Sequence, residues 1–217
     1  MDTPKRHMKD VIYEEYLGRI QRGELTHEDR LVDTALAEAF QVSRMPVRDA
    51  LMRLTHEGYL AATTRGFKLP KLERSQILEI FELRRLLEPR AAALAAQALT
   101  ERDLATLKRA LEVSEGSLET GDVQALYRAS EDIRHTWVVA VPNRELRDTI
   151  QRYLAQIQAV RMATLRDGDA HQLLVSLHQR MVEGFSRRDG AAVELVVLRY
   201  VLAAEESYLR VRPAHSD

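Results

Sequence analysis

The chain has 217 residues, 45% of them apolar but only 6% aromatic, and a formal net charge of −1. That supports a packed core in one or two domains, and the plentiful Ala, Leu, Arg and Glu favour helices. The absence of cysteine excludes a disulfide framework and thiolate chemistry; no run approaches the roughly 18 apolar residues of a membrane span, and no signal-peptide core follows Met1, so a cytoplasmic protein without a membrane partner is expected.

Residues 1–8 read as disordered. The spacing of Ile12, Tyr13, Tyr16, Leu17 and Ile20 predicts a helix over 9–22, ended by Gly23. A polar loop follows, and Leu31-Val32 re-enters the core. Asp33 to Phe40 reads as a short capped helix, and Gln41-Val42-Ser43 as a tight turn into a second helix. Ser43 is an N-cap type whose oxygen can accept an early helical N–H. Pro46 falls in the first turn, where its missing N–H costs nothing, and Gly58 is a stop. Val47, Ala50, Leu51 and Leu54 make one apolar face. Arg44 and Arg48, four residues apart, project from the other, with Met45, Asp49 and Met52 near them. A guanidinium fork matches O6 and N7 of guanine in a major groove. Downstream, 59–63 and 67–69 are two strand-like runs around Thr64-Arg65-Gly66, a hairpin whose tip arginine is placed for a minor groove or a phosphate.

Together these elements predict a winged helix-turn-helix over 1–70, with Thr34, Ser43, Arg44, Met45, Pro46, Arg48, Arg65 and Gly66 as candidate contacts to a double-stranded DNA operator. Although the net charge is near zero, residues 42–68 carry Arg44, Arg48, Arg53, Arg65 and Lys68 against Asp49 and Glu57, a local basic excess that predicts salt-dependent binding.

Leu36-Ala37-Glu38, the run from Val42 to Leu51, Leu54, Glu57-Gly58 and Arg65-Gly66-Phe67 resemble the N-terminal domain of GntR-family bacterial transcription regulators. The resemblance covers about sixty residues; it departs at Met45, where the family more often has threonine.

Residues 71–75 read as a linker. Beyond them every long segment has helical period, predicting helices at about 75–98, 101–119, 122–141, 143–166, 170–187 and 190–211, with Pro89 kinking the first. Six antiparallel helices on short connections make a bundle, so the fold expected is mainly α: the winged domain followed by an all-helical domain over 76–213. The run Glu82 to Glu88, the Asp132-Ile133-Arg134-His135 stretch followed by Asn143, and His178 followed by Asp189 are similar to the FCD-type effector domain, which the resemblance makes an effector-binding and dimerisation domain.

FCD domains often hold a metal through one carboxylate and three histidines. The resemblance places the carboxylate and first histidine at Asp132 and His135, the second histidine at His178, and the third at position 200, which is Tyr200. Because the family spaces the first two ligands four apart, Glu131 is the alternative carboxylate. The residues themselves put His178 on an apolar stripe with Leu174, Met181 and Phe185, and Tyr200 on one with Val193, Val197 and Ala204. An imidazole oriented by a carboxylate ligates transition metals, so one divalent ion (Zn, Ni or Mn) is one expectation. The other is that both histidines are polar lining, hydrogen-bonded to Asp132 and Tyr200. Arg84 lies on an apolar stripe and must be paired, either with Glu88 one turn on or with the carboxylate of a small organic acid; Arg161 and Tyr200 are further candidates for that acid. Trp137 reads as cavity wall or as core.

These readings converge on a ligand-responsive regulator, a repressor in most of the family, with a homodimer on an inverted-repeat operator and a small organic acid as effector. The alternatives are a constitutive DNA-binding protein whose helical domain only dimerises, and a metal-dependent enzyme. For the enzyme the chain offers no helical pair of Glu-x-x-His motifs, no nucleophile elbow and no phosphate loop.

Overall fold

The structure, a computed structural model, describes residues 7–21, 24–157 and 171–211. They form two compact units that divide between Glu73 and Arg74, with residues from Arg152 at the end of a later helix counted in the first. Expectations that fall on residues 1–6, 22–23, 158–170 and 212–217, Arg161 among them, lie outside the described residues.

The first unit contains α1 (Met8–Gln21), α2 (Asp33–Phe40), α3 (Arg44–His56), β1 (Ala61–Thr63) and β2 (Gly66–Lys68). Ile12, Tyr16 and Ile20, each one turn apart, face Val47, Ala50, Leu51 and Leu54 of α3, and Leu31, Ala37 and Phe67 close the same core. Each Ile, Val, Leu or Phe of this set removed from water contributes about 1.5–3 kcal/mol. Arg53 ties the outer surface of this packing together. Its guanidinium lies over the Tyr13 ring at 3.7 Å, and it pairs with Glu57 at 3.0 Å and Asp10 at 3.6 Å. Tyr13 donates to the same Glu57 carboxylate at 2.5 Å. Met52, expected beside the arginines, packs instead against this core.

The turn between α2 and α3 is made by Gln41, in the left-handed region at φ 54°. Gly58 ends α3 at φ 88°, with its N–H donating to Thr55 and that of Tyr59 to Leu54; this closure returns two otherwise orphaned carbonyls to hydrogen bonding. The antiparallel pair β1–β2 sets Thr63 opposite Gly66, leaving Thr64 and Arg65 as the tip. Leu31 bridges to Phe67 through two 2.8 Å backbone bonds. A Cβ at Gly66 (φ 120°) would stand 2.5 Å from the Leu31 carbonyl oxygen, so the wing requires glycine there.

The second unit contains α4 (Arg74–Ala98), α5 (Glu101–Thr120), α6 (Val123–Val139), α7 (Arg144–Gln156), α8 (His171–Ser186) and α9 (Gly190–Val211). The α4 helix begins inside the expected linker and runs unbroken through the buried Pro89. Its most extensive packing is against α9; α5 packs on α6 and α8, α8 on α9, and α4 on α6. Arg188, between α8 and α9, donates to the carbonyls of Ala96 and Leu99 at the end of α4, where orphaned acceptors and the helix dipole favour a cation. The start of α5 is fixed by a reciprocal cap: Asp103 N–H donates to the Thr100 hydroxyl at 3.2 Å, and Thr100 N–H to the Asp103 carboxylate at 2.8 Å. Thr100→Ala is therefore expected to cost about 1 kcal/mol in urea denaturation, and an unchanged midpoint would show that the cap adds nothing. No helix among the described residues is long and apolar enough to cross a membrane.

Candidate functional site

In the winged unit, α3 exposes Arg44, Met45, Arg48 and Asp49 while its apolar face is in the core. Arg48 carries no ion pair among the described residues. Arg44 does: its Nη2 donates to both oxygens of Asp33, at 3.0 and 3.3 Å. That bond, with the charge of Arg48 adding, holds Asp33 below the usual carboxylate range. The expected cap on α2 is thereby corrected. Val32 occupies the N-cap position with no side-chain bond, and Asp33 is spent on Arg44, one helix away. Ser43 does occupy the N-cap of α3, but its hydroxyl makes no capping bond and is exposed. Thr34 is exposed on α2 and Pro46 half-buried. Arg65 stands exposed at the wing tip, where Thr63 Oγ1 accepts from its N–H at 3.3 Å and donates to the Gly66 carbonyl at 2.8 Å. Arg44 and Arg53 are exposed but ion-paired within the unit, so the exposed cations of residues 42–68 with no ion pair among the described residues are Arg48, Arg65 and Lys68, fewer than the residue count suggests.

In the helical unit the expected metal ligands do not meet. Asp132 and His135 are both exposed on α6, and among the described residues no group of three His, Cys, Asp or Glu side chains could hold a metal ion. The reason is helical phase. Leu126, Ser130, Ile133, Arg134 and Trp137 make the buried face of α6, and Asp132 and His135 share the opposite one. The inward pair with the family's spacing of four is Ser130 and Arg134. Glu131, the alternative carboxylate, is half-buried and accepts from Arg134 Nη1 at 3.3 Å.

That inward face helps to line a cavity shared with Glu88 of α4, His178 of α8 and Tyr200 of α9. Its apolar walls are Ile133, Trp137, Met181 and Val197, so Trp137, only 2% exposed, is wall and core at once. The cavity is narrow and admits about one water molecule. Arg134 Nη2 donates to the Tyr200 hydroxyl at 2.7 Å. His178 is 1% exposed; its Nδ1 lies 2.8 Å from Ser114 Oγ, and its Nε2 has no partner among the described residues. Burial, reinforced by the charge of Arg134, pushes the His178 imidazole down to about 3, so it is neutral at physiological pH.

A group that refuses a proton when folded and accepts one near 6.5 when unfolded makes stability fall as pH drops below that value. The His178 contribution is complete above about pH 6.5 and is lost towards pH 3, at up to about 1.4 kcal/mol per unit. The unfolding free energy of the native chain is expected to fall more steeply between pH 6 and pH 4.5 than that of His178→Asn. Parallel slopes would mean that His178 titrates freely in the fold.

Arg84 pairs with Glu88, Nε to Oε1 at 2.7 Å, both side chains 1% exposed. Of the two roles expected for it, the intrahelical pair is present, and Arg84 does not line the cavity. Its Nη1 and Nη2 and the Glu88 Oε2 have no partner among the described residues. Sequence reasoning missed Ser130 and Arg134. The signal was the stripe itself, since Arg134 sits one turn beyond Ser130 and beside Ile133 on the only apolar face of α6.

These donors do not fit the family's metal. Among the four positions that face inward in place of the ligand set, one neutral imidazole remains, beside a hydroxyl, a phenol and a permanent guanidinium cation. Arginine stays protonated, and a divalent ion beside it would meet repulsion.

The architecture is that of a winged helix-turn-helix protein with a helical second domain. A model of the bacterial regulatory proteins, gntR family, matches residues 8–66, and a model of the FCD domain matches residues 79–203. The chain belongs to the GntR family of bacterial transcription regulators, in the branch that carries an FCD domain; it is a family of regulators, not of enzymes. It is 33% identical over 136 residues to the Nta operon transcriptional regulator of Aminobacter aminovorans, which covers 61% of this chain and 63% of that protein. It is 32% identical over 187 residues to the HTH-type transcriptional regulator McbR of Escherichia coli, over 73% of this chain and 84% of the relative. The HTH-type transcriptional repressor RspR of E. coli is 25% identical over 99% of this chain and 95% of its own. The solved structure of E. coli McbR/YncC shares the fold with a TM-score of 0.75 at 21% identity, over 94% of this chain and 100% of that one.

Proposed function

We propose that this regulator is a cytoplasmic repressor that binds an inverted-repeat operator as a homodimer and is released by a small organic acid. In this reading residues 1–70 form the DNA-binding domain, 71–75 the linker and 76–213 the effector domain. Arg48 and Arg44 read bases from the front of α3. Thr34, Ser43, Met45 and Pro46 lie along the phosphates, and Arg65-Gly66 places the wing. A two-fold axis would set two such helices on successive half-sites.

The observation that carries the effector half is the buried, charged cavity. A site built only to hold helices together has no use for an imidazole nitrogen and a carboxylate oxygen left without partners among the described residues beside a guanidinium. The acid weakens DNA binding only to the extent that it prefers the non-binding arrangement. The RspR relative, a repressor by name, supports the sign of the effect.

The test is a screen of small acids against the complex of protein with an operator selected from random DNA. At least one acid is expected to lower operator affinity tenfold or more while stabilising the protein. The narrowness of the cavity favours one other reading, a constitutive binder whose helical domain only dimerises. In that case no acid releases operator and none raises the melting temperature.

A further inference from the structure

The surface that α3 turns away from the core carries one exposed large apolar side chain. Met45 is 68% exposed, and among the described residues of the winged unit the other such side chain is Met8, at the start of α1. A lone exposed apolar residue is ordinary on a protein surface, so exposure by itself says little. Direction says more. At roughly 100° of rotation per residue, the stripe of Val47, Ala50, Leu51 and Leu54 that enters the core leaves Met45 pointing almost straight away from it, with Asp49 one turn on. Arg48 is turned to one side of that line. Arg44 is turned further still, where Asp33 holds it at 3.0 Å. A helical side chain also leans towards the N-terminus of its helix, which sets Met45 over the front of α3. That is the part of such a helix that meets base edges in a major groove. The centre of the outer surface of α3 is therefore held by a thioether, which has no N–H or O–H to give a phosphate. Asp49, exposed on the same line, would be repelled by a phosphate strand, so this line of the helix suits the base edges.

We propose that Met45 is a specificity-determining residue that packs against the 5-methyl group of a thymine in the operator. That methyl is the apolar group among the donors and acceptors of the major groove. Met45 stands at the groove edge with the residues that follow the phosphates, and its unbranched, polarisable side chain reaches past them to the base. Methyl and thioether leave water together, which favours the contact. Guanine, cytosine and adenine present polar groups at the same edge. A thioether laid on one of those displaces water from a donor or acceptor and gives no hydrogen bond back, which is unfavourable. Met45 thus discriminates in both directions. Arg48 matches the paired acceptors of guanine and Met45 a methyl, so the front of one short helix reads both kinds of base pair. This inference deepens the operator-binding reading above and rests on it for the entry of α3 into a major groove.

The test crosses variants of the full chain with variants of an operator selected from random DNA, by anisotropy titration at one salt concentration. Each thymine is replaced in turn by deoxyuridine, which removes the methyl group and keeps the hydrogen-bonding edge. At one thymine position the native chain is expected to lose affinity about threefold to tenfold, the scale of one buried methyl group. Met45→Ala, checked for fold by its thermal melt, is expected to bind the methylated and demethylated duplexes alike. Met45→Leu, still apolar, should keep most of the native preference. Met45→Ala should also leave the slope of affinity against salt unchanged, because no phosphate contact is lost. The inference is overturned if no thymine responds to loss of its methyl. It is equally overturned if Met45→Ala loses as much as the native chain at the responding thymine, which would leave the methyl to another residue or to the shape of the duplex. Arg48→Ala on the same duplexes separates this failure from that of the underlying reading. A loss at Arg48 without any methyl effect removes the Met45 contact alone, whereas a selection that enriches no sequence removes base reading by α3 and the Met45 contact with it.

Discussion

Glu88→Leu is expected to lower the unfolding free energy by about 3–5 kcal/mol, the largest effect of any single substitution foreseen here. The Arg84–Glu88 pair is 1% exposed on both sides, and Arg84 has two nitrogens with no partner among the described residues even with Glu88 present. Removing the carboxylate leaves a buried guanidinium with no counter-charge, packed near the Phe81 ring at 5.2 Å. The pair itself is a different matter. Two charges taken out of water gain little over apolar groups of the same size, so Arg84→Met combined with Glu88→Leu is expected to recover most of the loss. Urea denaturation of the two single variants and the double variant closes the cycle. If Glu88→Leu alone were as mild as the double substitution, Arg84 would have found another counter-charge and the argument from burial would fail.

The second large effect concerns recognition. Arg48→Ala is expected to reduce affinity for a selected operator by about 1–3 kcal/mol, or roughly 10–100-fold, and to relax the preference at one base pair. Arg48→Lys should lose nearly as much, because an ammonium cannot make the two parallel bonds of the guanidinium fork. Arg44 is expected to behave differently. Its Nη2 is held by Asp33 on α2, so Asp33→Ala unties a positioned side chain without removing its charge. That variant should keep affinity for random DNA and lose discrimination. Anisotropy titrations on selected and random duplexes at one fixed salt concentration measure both. Equal loss on the two duplexes would reduce Arg48 to a phosphate contact.

The winged unit was legible in the sequence because its signals are local. The Ile12–Tyr16–Ile20 stripe, the Val47–Leu51–Leu54 face, Gly58 as a stop and Gly66 at the hairpin each follow from spacing or backbone conformation within a few residues. Partnerships across elements were not legible. Asp33 looked like a cap for its own helix and serves Arg44 of the next. Arg53 looked like part of a basic face and is consumed by Tyr13, Glu57 and Asp10. In the helical unit His178 and Tyr200 were placed correctly by their stripes, since both sit in long apolar helices whose phase is unambiguous. Asp132 and His135 were not. The resemblance supplied a ligand set, and chemistry drew attention to the residues that could ligate, whereas the phase of α6 had already turned Ser130 and Arg134 inward. Where an expected ligand and the apolar stripe disagree, the stripe decides, because apolar burial fixes the rotation of the helix and a single polar contact does not.

Arg134 also has a consequence in time. A metal centre must be filled, can be stripped by competitors, and shares its fate with the supply of its ion. A side-chain cation arrives with the ribosome's product and cannot be withdrawn. The positive charge that Arg134 brings to the inside of this helical unit is thus written in the sequence and does not wait on the supply of an ion.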